Sequence, residues 1–212
     1  MELYKKGSRG EIVRMIQRAL HLLPDGIYGM NTEEAVKAFQ KKAGLKVDGV
    51  VGPATLAKLI PVRWKKSKRV IKEIIVHCTA TPEGRDYTVE QIRADHKKQG
   101  WSDIGYHYVI YRDGSVHEGR NVDYIGAHCA ADGHNTYSIG IAYVGGVENK
   151  PGVSYAKQKS KDTRTLRQKA ALLKLLTELK TLYPNAKIYG HHDFEPKKDC
   201  PCFDAKNEYL RI

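Results

Sequence analysis

One eight-residue pattern occurs twice near the start of the chain. Asp25-Gly-Ile-Tyr-Gly29-Met-Asn-Thr32 returns as Asp48-Gly-Val-Val-Gly52-Pro-Ala-Thr55, 23 residues further on. Each copy reads as a Gly-rich turn feeding a helix. Glycine supplies the positive φ of the turn, and Asn31/Thr32 or Pro53 starts the helix. Ahead of the first copy, Ser8-x-x-Glu11 predicts a capping box, with Ile12, Val13, Ile16, Ala19, Leu20 and Leu23 following at helical spacing. Ala35, Val36, Phe39 and Ala43 predict a second helix stopped by Gly44, and Leu56, Leu59 and Ile60 a short third. The first sixty residues are therefore expected to form a small all-α three-helix domain. The turns lack the alternating carboxylates of an EF-hand, which excludes calcium loops. Physics alone gives them a structural role.

Beyond residue 69 the pattern changes. Val70–Cys78, with Ile74, Ile75 and Val76 in succession, predicts a buried strand. Thr88-x-x-Gln91 predicts a capped helix to about Gln99, ended by Gly100. Tyr106–Tyr111 and Ser115–Glu118 flank Asp113-Gly114, a hairpin signal. Ser138–Val144 predicts another strand, Val147–Lys161 a long polar loop, and Lys187–Tyr189 a last short strand. The longest predicted helix spans Thr165–Tyr183, with Leu166, Ala170, Leu173, Leu176 and Leu179 on one face. Strands punctuated by helices imply an α/β domain over 70–212, a mixed sheet flanked by helices.

With 212 residues, the chain has room for two such units. Its net charge of +12 is uneven: residues 1–69 hold 15 Lys+Arg against 6 Asp+Glu, and the remainder 21 against 18. Five cations and no acid fall in Pro61–Arg69, read as a basic linker over 61–69. A basic front end suits a polyanion: nucleic acid, an anionic membrane face or a cell-wall polymer. No nucleic-acid-binding motif accompanies the charge, so no nucleic-acid partner is expected. No apolar run nears the roughly 20 residues of a membrane span, so no stable membrane insertion is expected. The start of the sequence has no apolar signal-peptide region, which predicts synthesis in the cytoplasm without a signal peptide. Four cysteines in such a chain favour metal binding or burial over disulfides.

The candidate chemistry sits at strand ends. His77 closes the first strand; His191, His192, Asp193, Cys200 and Asp204 lie within fourteen residues after the last. Imidazole and thiolate suit Zn²⁺, and three protein ligands with an open fourth position describe a catalytic site. A lone strand-end histidine is more often a hydrogen-bonded structural residue, and spacing does not separate the two.

Two resemblances add to this reading. The ordered string Gln17-x-x-Leu20, D-G-x-x-G-x-x-T, Ala35-Val36-x-x-Phe39-Gln40, Gly44-Leu45, D-G-x-x-G-x-x-T, Leu59 resembles the three-helix peptidoglycan-binding module. It implies a wall-targeting role for residues 1–60. V-H-C-T-A-T at 76–81, G-W-x-D-I-G-Y-H-Y at 100–108, R-D-G at 112–114, G-A-H at 126–128, N-T-Y-S-I-G-I at 135–141 and G-H-H-D-F-x-P-K-K-D-C-P-C-F-D at 190–204 resemble the zinc-dependent N-acetylmuramoyl-L-alanine amidases. That family includes phage lysozymes of amidase type and shares its fold with peptidoglycan recognition proteins.

The second resemblance implies His77, His191 and Cys200 as ligands of Zn²⁺, with Tyr106 and Lys198 as catalytic residues. Lys197 stands beside Lys198, and either can point inward. Tyr106 is the candidate proton shuttle. His128 is expected to bind substrate or to serve as a structural hydrogen-bond partner. Cys78 and Cys129 read as small apolar fillers and Cys202 as a packed thiol. Asp193 or His192 is a candidate to orient a ligand imidazole. The implied function is hydrolysis of the bond between N-acetylmuramic acid and L-alanine in peptidoglycan. A monomeric phage or prophage endolysin, made in the host cytoplasm and acting on the wall after release, fits these expectations. The alternative is a non-catalytic peptidoglycan-binding receptor on the same fold, a kind of protein that typically lacks the cysteine ligand.

Overall fold

The computed structural model describes residues 3–60 and 63–212. Residues 61 and 62 of the stretch read as a linker lie outside the described residues. The chain divides into two compact units, Met1–Trp64 with Thr177–Pro184 and Arg211–Ile212, and Lys65–Leu176 with Asn185–Leu210.

The first unit contains α1 (Glu11–Ala19), α2 (Met30–Lys42) and α3 (Pro53–Leu59). The sequence echo is repeated in the hydrogen bonding. Gln17, buried in α1, donates to Asp25 Oδ1, Ile27 O and Thr32 Oγ1 and accepts from Gly26 N. Gln40, buried in α2, does the same one repeat later, with Asp48 Oδ1, Val50 O, Thr55 Oγ1 and Gly49 N. Each buried amide thus satisfies a turn that no apolar side chain could hold. Gly26 and Gly49 take φ of 78° and 69°, a region that favours glycine. The second glycine of each copy is extended and forms the N-cap, so α2 begins at Met30, earlier than Asn31/Thr32, and α3 begins at Pro53.

Two local expectations are corrected here. The Ser8–Glu11 capping box does not form; Gly10 is the N-cap of α1. The backbone of residues 8–10 is already committed to residues 26–28, through Tyr28 N to Ser8 O and Gly10 N to Gly26 O, so the chain cannot turn helical sooner. Leu23 is exposed, because α1 stops at Ala19 and His21 takes a left-handed φ of 57°. Val13, Ile16, Tyr28, Val36, Val51, Leu56, Leu59 and Ile60 form the core.

The second unit is built on five strands: β1 (Glu73–Cys78), β3 (Tyr108–Ile110), β4 (Val116–Glu118), β5 (Ser138–Tyr143) and β7 (Lys187–Gly190). Their order is β4-β3-β5-β1-β7, parallel throughout except for the β3–β4 hairpin. The mixed sheet agrees with expectation. β1 and β5 are central and covered on both faces, which is why they read as continuous apolar runs. α4 (Val89–Lys98) carries the predicted Thr88–Gln91 capping box.

At the start of the segment expected to be a loop, β6 (Gly146–Val147) pairs in parallel with β2 (Thr81–Pro82). Gly146 has φ 108°, and a Cβ there would collide with the Cys78 thiol. Two-residue strands have no periodicity to read.

α5 (Leu166–Leu182) is correctly placed but differently turned. Leu166 and Ala170 are exposed, while Gln168, Leu172, Leu175, Leu176 and Leu179 are buried. Gln168 decides the rotation: its amide donates to Ile110 O and Val144 O at the strand ends, and it shares a reciprocal cap with Thr165. α6 (Ala205–Glu208) is held by Arg164, whose buried guanidinium bonds Asp162 and Glu208 and stacks over Phe203. Lys65–Arg69 is stitched onto this unit by Lys65 and Lys68 to Asp123, Ser67 to Val122 O, and Arg69 to four backbone carbonyls.

Candidate active site

Parallel strands deliver side chains to their carboxyl ends, where the backbone pairing stops and a cleft opens. β1 ends on His77-Cys78. β7 runs into a 3₁₀ turn, His191–Asp193, and the chain then folds back so that His192 N donates to Cys200 O at 2.8 Å. Tyr143 on β5 pins the returning segment by donating to Pro201 O at 2.8 Å. The donor atoms of His77, His191 and Cys200 come within 4.8 Å of one another, although Cys200 stands 123 residues from His77. This trio can hold a metal ion.

The His77 imidazole presents one nitrogen to Cys200 and binds His128 with the other. His77 Nδ1 faces Cys200 Sγ at 3.8 Å, while its Nε2 lies 3.0 Å from His128 Nδ1. His128 Nε2 in turn lies 3.3 Å from Ser138 Oγ. In the proton arrangement that suits a metal, His77 Nε2–H donates to His128 Nδ1, and His128 Nε2–H donates to Ser138 Oγ. His77 Nδ1 is then an unprotonated donor atom. Burial first, then the neighbouring His128, His191 and Lys198, hold His77 well below the ordinary imidazole pKa, so it stays neutral. His191 Nε2 lies 3.0 Å from Glu195 Oε1. At Cys200, the Cys78 N–H donates to Sγ at 3.2 Å.

The Tyr106 ring packs against His77 with centroids 5.3 Å apart. Burial is the main cause pushing its phenol upward, so the hydroxyl keeps its proton near neutrality. Lys198 is exposed and meets Glu195 Oε2 at 3.2 Å. It also lines a cleft of about 920 Å³ with His192, Asp199 and Phe203. Of the two adjacent lysines, Lys198 is the one in contact with Glu195, the partner of His191.

His128 lies against His77, and both its nitrogens are engaged inside the protein. A Cβ at Gly126 or Gly140 would overlap its ring. Neither proposed orienting residue reaches an imidazole. Asp193 instead accepts from Gly190 N at 2.8 Å, and the contact His192 makes toward Cys200 is through its backbone. The side chains that do contact the two imidazoles are His128, on His77, and Glu195, on His191. Glu195 escaped the sequence reading; its one signal is the i, i+4 spacing from His191. Cys129 lies in a second group, with His191 and Glu195, also within 4.8 Å. The Cys202 thiol points to Gly146 O and sits 3.8 Å from that of Cys78, as a packed thiol does.

A family model described as N-acetylmuramoyl-L-alanine amidase matches residues 67–203, and one described as a putative peptidoglycan binding domain matches residues 9–59. The endolysin of Klebsiella phage KP32 is 44% identical over 134 residues, covering 63% of this chain and 82% of that protein. The endolysin of Escherichia phage T7 is 40% identical over 141 residues, 66% of this chain and 87% of that protein. Among solved structures, an endolysin N-acetylmuramoyl-L-alanine amidase from Clostridium intestinale superposes with a TM-score of 0.52 at 26% identity, covering 71% of this chain and 90% of the other.

Proposed function

The chain belongs to the N-acetylmuramoyl-L-alanine amidase family, and from that premise we propose that it is a phage or prophage endolysin cleaving peptidoglycan at the muramoyl–alanine amide. Water adds to the lactyl carbonyl, the C–N bond breaks, and the products are a muramic acid carboxylate and the free α-amine of L-alanine. The observation that carries this reading is the convergence of His77, His191 and Cys200 at the end of the sheet with Tyr106 against His77. The N-terminal unit would bind the wall polymer, consistent with its family match and its share of the positive charge.

Two imidazoles and a thiol suit Zn²⁺ better than the oxygen-seeking Mg²⁺ or Ca²⁺. Zinc bound there would polarise the amide carbonyl and lower the pKa of water to about 7. His77, His191 and Cys200 would hold the ion. His128, backed by Ser138, fixes the tautomer of His77, a role its engaged nitrogens support over substrate binding. Tyr106 keeps its proton, so its hydroxyl is suited to donate a hydrogen bond to the oxyanion that develops on the substrate. The Lys198 ammonium, close enough to act electrostatically on His77, would add a positive charge. A well-placed donor of this kind is worth about 3–4 kcal/mol in the transition state.

Digestion of purified sacculi followed by mass spectrometry tests the proposal. The expected products are glycan strands bearing intact muramic acid and stem peptides with a free N-terminal alanine. Cleaved glycosidic bonds, or cleavage within the stem peptide, would overturn it. Binding to sacculi with no product would favour the receptor alternative, against which the presence of Cys200 argues.

A further inference from the structure

Glu195 makes two contacts, and each of its oxygens has a different partner. Oε1 lies 3.0 Å from His191 Nε2, and Oε2 lies 3.2 Å from Lys198 Nζ. The local chain explains this placement. Phe194 N and Glu195 N both donate to His191 O, closing a turn that brings residue 195 back over the imidazole. Phe194 is packed between His134 and Tyr189, which anchors the turn. The carboxylate is only partly exposed, and both its oxygens are engaged.

We propose that Glu195 is a positioning residue that locks the His191 tautomer and holds Lys198 beside the metal trio, coupling metal retention to the placement of a catalytic cation. This rests on the reading of His191 as a zinc ligand and of Lys198 as an oxyanion-stabilising group. The His191 contact leaves Nδ1 as the donor nitrogen and makes the imidazole a stronger base. The Lys198 contact acts differently. A lysine has four rotatable bonds and a point charge, so without a partner it samples many positions. An anion fixed to the ligand imidazole confines the ammonium near the site.

The two contacts separate under mutation. Glu195→Ala removes both; Glu195→Gln leaves an amide oxygen to accept from His191 Nε2–H and removes the charge that holds Lys198. On the full-length protein, zinc affinity is measured by competition with a chromophoric chelator, and kcat and KM on a soluble muropeptide at saturating zinc. Glu195→Ala is expected to weaken zinc 10–100-fold and to lower kcat about tenfold or more with KM little changed. Glu195→Gln is expected to keep zinc within about threefold of wild type while showing the same fall in kcat. Wild-type affinity and kcat in Glu195→Ala would overturn the proposal. A changed KM with unchanged kcat would also do so, since it would make Glu195 a substrate contact.

The nearby Cys129 allows a third outcome. If the wild type binds two zinc ions per chain and Glu195→Ala only one, Glu195 is a ligand, and the positioning role is overturned. If the wild type binds no zinc and leaves the muropeptide intact, the amidase reading itself fails, and this proposal with it.

Discussion

Replacing His128 with phenylalanine separates an orienting role from a substrate-binding one. In the structure His128 Nδ1 is the partner of His77 Nε2 at 3.0 Å, and Ser138 Oγ backs the other ring nitrogen at 3.3 Å. His128 and His77 are 7% and 1% exposed, so no water replaces the lost acceptor. Phenylalanine fills the space framed by Gly126 and Gly140 but accepts no hydrogen bond. His77 then either buries an unsatisfied N–H or shifts its proton to Nδ1, which removes the metal-binding lone pair. Loss of such an outer partner weakens metal binding 10–100-fold, about 1.4–2.7 kcal/mol. An unsatisfied buried donor costs about 1–3 kcal/mol of stability. Chelator competition on His128→Phe should show that weakening, and His128→Asn, which restores an acceptor, should recover part of it. Wild-type zinc affinity together with a raised KM on muropeptide would refute the argument and return His128 to the substrate.

Tyr106→Phe should fold and retain zinc while kcat falls 10²–10³-fold, the loss of one transition-state donor; wild-type turnover would move that role to Lys198. Cys200→Ala should abolish hydrolysis and most of the zinc content of the dialysed protein. Cys202→Ala should keep both and cost about 1–2 kcal/mol of stability, and the reverse pattern would reassign the thiol ligand. His107 supplies a pH dependence. Burial lowers its pKa to about 4 from 6.5, while its Nδ1 accepts from Gly140 N. Because the folded value is the lower one, the unfolded chain takes up the proton first as pH falls. Stability should therefore be unaffected above pH 6.5 and decline between 6.5 and 4 by up to about 1.4 kcal/mol per pH unit from this group. Urea melts of His107→Gln should show a shallower decline than wild type, and equal slopes would exclude His107 as the cause.

Short-range order was legible in the sequence because it depends on neighbours. The apolar run 74–76 specifies a doubly buried strand, Asp113-Gly114 a hairpin, and Thr88-x-x-Gln91 a capping box, and each forms. The repeated D-G turns likewise form where they recur. The Ser8–Glu11 cap failed because its residues pair with 26–28, and the rotation of α5 was misread because a buried glutamine outranks the leucine stripe.

The site divides in the same way. Residue types alone suggested a pool, His77, His191, His192, Asp193, Cys200 and Asp204, since imidazole and thiol near strand ends suit a soft divalent ion; the trio His77, His191 and Cys200 came from the resemblance to the amidase family. The sequence by itself determined the two-part organisation, the strand and helix types and the pool of chemically able side chains. Tertiary structure alone decided that His77 turns Nδ1 toward Cys200, that His128 points at His77, and that Glu195, silent in the sequence, bridges His191 and Lys198. Periodicity reports which face of an element is buried. It carries no information on contacts between residues 51 or 123 positions apart, because those are set by the parallel pairing of β1 with β5 and β7 and by where the chain emerges from the sheet.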